Sequence, residues 1–215
     1  MPGAEQIWTI VVGGGSGRRF GTPKQYESLG DVRVIDRSVE VAREVSDGVV
    51  VVVPPQDAGR EGAVAGGASR SESVRAGLAA VPAEATVVCV HDAARPLATV
   101  ELYRRAIAAV LGGADAAIPG IAVADTIKVV ADGVVQSTPD RASLVAVQTP
   151  QAFRASSLRA AHEHGGDATD DAALVEADGG LVVVVDGEST NRKITVPDDL
   201  DWARRHLGLE PKEQP

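Results

Sequence analysis

The chain has 215 residues, with 21 Lys and Arg against 30 Asp and Glu, a net charge of -9. That length fits one α/β domain with a substantial core. The acidic balance argues against general affinity for nucleic acid or an anionic membrane, and no apolar run is long enough to span one. Cys89 is the only cysteine, which excludes an internal disulfide and makes a reducing, cytoplasmic setting the expectation.

The predicted strands, in chain order, are Ile7–Val12, Val49–Val53, Val87–Val90, Ala116–Pro119, Leu144–Gln148 and Leu181–Asp186. Between them, helical patterning covers Val34–Val45, Ser71–Ala80, Val100–Leu111, Ala152–Glu163, Asp170–Asp178 and Pro197–Leu207. Ser69 and Glu72 have capping-box spacing, Thr99 and Thr169 are candidate N-caps, and Gly112, Gly179 and Gly208 stand where helices should stop. Alternation of this kind predicts a mostly parallel sheet with helices on both faces. Ligands in such sheets collect at the carboxyl ends of strands, so the loops after Val12 and Val90 are the expected walls of a site.

One segment departs from the alternation. Thr126–Ala131, Asp132-Gly133 and Val134–Ser137 read as a β-hairpin with a two-residue turn, part of an arm over about 124–142. Its edges need cover, either from its own domain or from a second subunit. Residues 1–209 are expected to form a single domain, followed by a frayed polar tail over 210–215. The N-terminus has no basic segment leading into an apolar core, so no signal peptide is expected.

The first strand runs into Gly13-Gly14-Gly15-Ser16-Gly17, then Arg18-Arg19, then Pro23-Lys24. Glycines let the backbone approach a ligand closely, and their amides can face anionic oxygens. The three cations that follow add fixed positive charge. The stretch is therefore either a phosphate cradle or a tight turn with a solvated basic patch. No Gly-Lys pair exists for a Walker loop, and Phe20 stands where the third glycine of a dinucleotide loop should be.

Five further stretches carry candidate chemistry. Val88–Pro96 places His91, Asp92 and Arg95 just past a buried strand. Asp92 suits a metal-bound phosphate or a sugar hydroxyl, whereas His91, facing the opposite way, suits packing. Arg95 either clamps an anion or anchors its loop. Cys89, inside the apolar run, is expected to be a buried thiol. Gly66-Gly67-Ala68-Ser69-Arg70-Ser71-Glu72-Ser73 opens a helix, and a plain capped helix explains it. Gln148-Thr149-Pro150-Gln151 reads as a proline-marked turn, and Thr169-Asp170-Asp171 as carboxylates favoured by a helix dipole. Arg192-Lys193 reads as a solvated basic pair.

In their order and spacing, these motifs together resemble the 2-C-methyl-D-erythritol 4-phosphate cytidylyltransferases, over Ile10 to Leu200. The matching pieces are Gly15-Ser16-Gly17-Arg18-Arg19 with Pro23–Tyr26, Gly66-Gly67 with Ser73-Val74, and His91–Pro96. They continue with Asp125–Lys128, Arg141, Gln148–Gln151, Thr169–Asp171 and Lys193–Thr195. The resemblance implies a Rossmann-like nucleotidyltransferase fold with a protruding β-hairpin arm, and a homodimer through that arm. It implies cytidylyl transfer from CTP to methylerythritol phosphate, with Mg²⁺ and release of pyrophosphate. Ribitol-5-phosphate cytidylyltransferases and catalytically silent nucleotide-binding homologues share much of the same pattern.

By this resemblance, Arg19 and Lys24 stabilise the transition state, and Arg141 and Lys193 position the substrate phosphate. Gly13, Gly14, Gly15, Ser16, Gly17, Gly67, Ser73 and Asp92 bind CTP. Asp92, Arg95, Thr126 and Thr149 contact the sugar phosphate, and Asp92 is the one implied protein ligand of Mg²⁺. The chain departs from the family at Val12-Gly13-Gly14-Gly15, where Pro-Ala-Ala-Gly is common, at Ala68, where an acidic residue is common, and at Arg192, where an apolar one is.

Overall fold

The computed structural model describes residues 5–14 and 20–209. The elements follow one another as β1 (Ile7–Val12), β2 (Ser28–Leu29), β3 (Val32–Arg33), α1 (Val34–Val45), β4 (Gly48–Val53), α2 (Pro55–Glu61), β5 (Val64–Ala65), α3 (Arg70–Ala79), β6 (Val87–Asp92), α4 (Val100–Leu111) and β7 (Ala116–Ala122). Then come β8 (Val129–Ala131), β9 (Val134–Ser137), β10 (Val145–Val147), β11 (Gln151–Arg154), α5 (Ala155–Glu163), α6 (Asp171–Ala177), β12 (Val182–Asp186) and α7 (Pro197–His206).

The main sheet has the order β10-β7-β11-β6-β1-β4-β5, with β12 added on β7. The pairs β1–β4, β1–β6, β4–β5 and β7–β12 are parallel. Alternation along β1 divides the core. Ile10 packs on one face with Val74, Leu78, Phe153, Leu158 and Val175, and Val11 packs on the other with Ile35, Leu102, Tyr103 and Ile107. Each such fully buried side chain contributes about 1.5–3 kcal/mol. A smaller cluster of Leu29, Val34, Leu97, Ile194, Leu200 and Ala203 ties α7 beside the carboxyl ends of the strands.

The expected helix over Ala152–Glu163 begins three residues late. Gln151–Arg154 is instead a strand, antiparallel to both β6 and β7. These two parallel-running strands are not neighbours, so without β11 their facing N–H and C=O groups would be buried and unpaired. Phe153, wholly buried, fills the core at that point. β6 also runs two residues further than expected, because His91 and Asp92 pair with Val11 and Val12. Asp170 rather than Thr169 caps α6, accepting from the Ala173 amide. α2 and β5 were not foreseen, since Pro55–Glu61 is polar and buries no residue fully.

Thr99 caps α4 as expected. The Ser69–Glu72 box is half formed: Ser69 Oγ accepts from the Glu72 amide, but the Glu72 carboxylate accepts from Ala68 N. In the arm, pairing starts at Val129 rather than Thr126. Its turn residues Asp132 and Gly133 take φ of 51° and 77°, the left-handed pair that a two-residue hairpin requires. The tail over 210–215 lies outside the described residues.

Candidate active site

A cavity of about 420 Å³ opens at the carboxyl ends of β1 and β6. Its floor is Val12, Gly13 and Gly14 with Asp92, Ala93 and Ala94. One wall is the entry to α3, from Gly67 to Arg70 and Ser73, and the other carries Phe20, Lys24, Gln25, Lys193 and Thr195. The strand ends are locked together, since Gly13 N donates to Val52 O and Ala93 N to Val12 O. Gly67 is forced by close approach, as a Cβ there would lie 2.3 Å from the Glu72 Cβ. Ser73 Oγ closes that loop by accepting from Gly67 N and donating to Ser69 O.

Asp92 is the one carboxylate among the described residues lining the cavity. Its Oδ2 lies 2.6 Å from Lys193 Nζ, and its Oδ1 lies 3.5 Å from Arg70 Nε. Burial pushes the Asp92 carboxyl up, but the Lys193 and Arg70 charges outweigh it and hold the group well below the usual carboxylate range. Asp92 is thus ionised, and two cations converge on it from α3 and from the segment before α7.

A hydrogen-bond chain behind the wall sets Asp92 in place. The Asp92 amide donates to Thr149 Oγ1, whose hydroxyl faces His91 Nδ1, and His91 Nε2 donates to Arg95 O. His91 is buried and stacks obliquely near Tyr103. Burial lowers its pKa from 6.5 to about 4, which suits the packing role expected of it. Arg95 donates to the carbonyls of Asn191 and Val147, pinning the segment that carries Lys193. Thr149 and Arg95 therefore organise the site from behind and are not among the residues lining the cavity.

Of the other predicted site residues, Gly13, Gly14, Lys24, Gly67, Ser73, Asp92 and Lys193 line this one cavity. Gly15, Ser16, Gly17 and Arg19 lie outside the described residues. Thr126 and Arg141 are not brought to the cavity. Both are exposed on the arm side, where Arg141 donates to Ala124 O. Cys89 is buried as expected, its thiol pushed up to about 12 by burial.

Sequence reasoning missed Arg70 and Gln25. Arg70 is the first residue of α3, and burial lowers its pKa less than Asp171 and Asp92 raise it. Its place three residues after the Gly66-Gly67 pair, at the start of the helix, was the available signal. Gln25 is buried, and its Nε2 has no partner among the described residues. The adjoining Tyr26 fastens this turn to α2, donating to Asp57 while Arg60 covers its ring at 4.9 Å.

A family model for 2-C-methyl-D-erythritol 4-phosphate cytidylyltransferase (IspD) matches residues 7–208. The chain belongs to this family. A 2-C-methyl-D-erythritol 4-phosphate cytidylyltransferase of Syntrophotalea carbinolica is 40% identical over 94% of this chain and 96% of its own length. The bifunctional enzyme IspD/IspF of Nitratidesulfovibrio vulgaris is 40% identical over 91% of this chain, but the chain spans only 56% of that relative.

Among solved structures, the 4-diphosphocytidyl-2C-methyl-D-erythritol synthase of Anaerococcus prevotii superposes with a TM-score of 0.83 at 28% identity, covering 95% of this chain and 99% of that one. The 2-C-methyl-D-erythritol 4-phosphate cytidylyltransferase of Thermus thermophilus gives 0.79 at 32% identity, covering 93% and 98%. The fold is therefore the α/β nucleotidyltransferase fold of this family. None of the described helices is long and apolar enough to cross a membrane.

Proposed function

We propose that the chain transfers a cytidylyl group from CTP to 2-C-methyl-D-erythritol 4-phosphate, releasing pyrophosphate. A phosphate oxygen of the alcohol phosphate attacks the α-phosphorus of CTP. The new P–O bond forms as the bond to the β-phosphate oxygen breaks, and its electron pair leaves with pyrophosphate. A phosphate monoester loses its second proton near pH ~6, so the nucleophile is already ionised at neutral pH and no general base is needed. The barrier is electrostatic, because two polyanions must meet.

The observation that carries this reading is the convergence of Lys24, Lys193 and Arg70 in one cavity around a single ionised carboxylate, at the strand ends where nucleotides bind. The backbone at Gly13 and Gly14 and the Gly67–Ser73 loop face the space for the base and ribose. Reading a base through backbone groups fits Gly13, Gly14, Gly67, Ala68 and Ser69, none of which carries a large side chain. Lys24, with Arg19, would lie against the α-phosphate, and Lys193 against the incoming phosphate, exchanging Asp92 for it.

The donor set fits a Mg²⁺ that arrives on the nucleotide. Among the described residues there is no cluster of three carboxylate, His or Cys side chains, and Asp92 Oδ1, with only its long contact to Arg70, keeps coordinating capacity. When bound, the ion supplies charge neutralisation on the phosphates, with their oxygens and water as its other ligands.

The arm supports a homodimer. Val129, Val130, Val134 and Val135 are all about half exposed on a two-stranded ribbon apart from the main sheet, and apolar strands with open edges call for a partner. A second copy would cover them and would bring its Thr126 and Arg141 region to this cavity.

A pyrophosphate-release assay with CTP and Mg²⁺, crossed against methylerythritol phosphate and ribitol phosphate, tests the reading. Release with methylerythritol phosphate alone is expected. Release with ribitol phosphate alone would reassign the substrate, and no release with either would remove the enzymatic reading.

A further inference from the structure

The carboxylate Asp171 has no part in the reaction described above, although it is among the most deeply buried charges in the molecule. It is wholly inaccessible, with Oδ2 2.6 Å from Arg70 Nη1 and Oδ1 3.1 Å from His162 Nε2. Burying an ion costs several kcal/mol unless it is closely paired. Here the pairing runs in one direction, toward the cavity: His162 donates to Asp171, Arg70 bridges Asp171 to Asp92, and Lys193 completes the row.

The segment before α6 reinforces this arrangement. Ser69 Oγ donates to Asp167, the Ala168 amide donates to Ser71 Oγ, and Arg75 donates to Gly166 O. That segment is strapped along the first turn of α3, the turn that forms one wall of the cavity. His162 Nδ1 has no partner among the described residues, so the ring is committed to Asp171 through Nε2.

We propose that Asp171 is a positioning residue for CTP binding, acting through Arg70. The proposal rests on the reading of the cavity as a CTP site. The two acceptors of Arg70 are unequal, at 2.6 Å to Asp171 and 3.5 Å to Asp92. The short bond holds the guanidinium back, so it makes only a long contact with Asp92. Without that restraint, the planar fork of Arg70 closes on Asp92 in a paired geometry, the strongest available to it. Asp92 is then captured, its second oxygen is lost to ligand and ion, and Lys193 loses its partner. His162 holds Asp171 from behind, fixing which oxygen faces Arg70.

The test is a double-mutant cycle of Asp171→Asn with Arg70→Met, read on CTP affinity by calorimetry and on turnover. Asp171→Asn is expected to weaken CTP binding about tenfold while kcat changes by less than about threefold. In the Arg70→Met background the same substitution should cost less than about twofold, because the residue it acts through is gone. Equal factors in both backgrounds would overturn the proposal and make Asp171 merely structural. His162→Gln, which keeps a donor toward Asp171, should bind CTP within about twofold of the parent, and His162→Leu should reproduce the Asp171→Asn defect. If Asp171→Asn does not fold, His162→Leu takes its place in the cycle, with the same two outcomes. A parent enzyme that binds CTP but releases no pyrophosphate would count against the proposed reaction and leave the cycle readable.

Discussion

Lys193 Nζ lies 2.6 Å from Oδ2 of Asp92, although the two residues are 101 apart in sequence. The pair joins the end of β6 to the segment entering α7, across the mouth of the cavity. Replacing Lys193 with Gln should lower turnover on the order of 10²-fold, the usual cost of one lost charge-stabilising donor. It should also let the Asp92 carboxyl rise toward its ordinary range. Steady-state kinetics and an NMR titration of Asp92 check the two halves separately.

Lys24 lines the same cavity, in a turn fastened to α2 through Tyr26. Lys24→Ala should cost on the order of 10²–10³ in kcat while the thermal midpoint stays close to that of the parent. Near-parental rates at saturating substrates would remove its transition-state role.

His91 gives the fold a pH dependence distinct from catalysis. Its pKa falls to about 4 in the folded chain through burial, against 6.5 unfolded. The unfolded state therefore binds a proton that the native state refuses between those values. The stabilisation is complete above pH 6.5 and declines as pH falls toward 4, by on the order of 3 kcal/mol. Asp92, whose pKa is lowered, acts in a different window: its share is present above about pH 4 and is lost only below that. Urea unfolding from pH 7 to 4 should show the decline, and His91→Gln should lower stability at pH 7 but flatten the slope.

The arm predicts an assembly. Val130→Glu with Val134→Glu places charges on two exposed positions of the ribbon, which should leave the far-ultraviolet spectrum unchanged. Sedimentation should show the parent as a dimer and the variant as a monomer. Turnover should fall with dimer content, because Thr126 and Arg141 are absent from this chain's own cavity.

Much of the scaffold is legible residue by residue. β1, α1 and α4 have the boundaries that hydrophobic period and caps predict. Thr99 gives the Leu102 amide in the first turn of α4 a partner, and the Asp132-Gly133 turn follows from which residues tolerate positive φ. β11 was not legible, because Gln151–Arg154 is a strand only by virtue of the gap between β6 and β7 that it fills. Local pattern continues there into α5, and the pull of two unpaired strand edges is a long-range effect.

The candidate site divides along the same line. The glycine loop, Lys24 and Asp92 can be picked out from residue type and from place after strands, whereas Gly67, Ser73 and Lys193 read locally as a capped helix and a solvated basic pair and gain a role only from the family resemblance. What tertiary structure alone decides is which charges face which. Asp171 looks like a helix-start carboxylate and Arg70 like part of a plain capped helix, until the fold sets the start of α6 beside the start of α3 and joins the two in a 2.6 Å ion pair. The family resemblance makes Arg95 and Thr149 ligand contacts, but the fold turns Arg95 to the Asn191 and Val147 carbonyls and sets Thr149 Oγ1 against His91 Nδ1 while it accepts from the Asp92 amide. The physical reason is burial: a polar group removed from water must find its partner in whatever element the fold brings near, and that partner can be a hundred residues away.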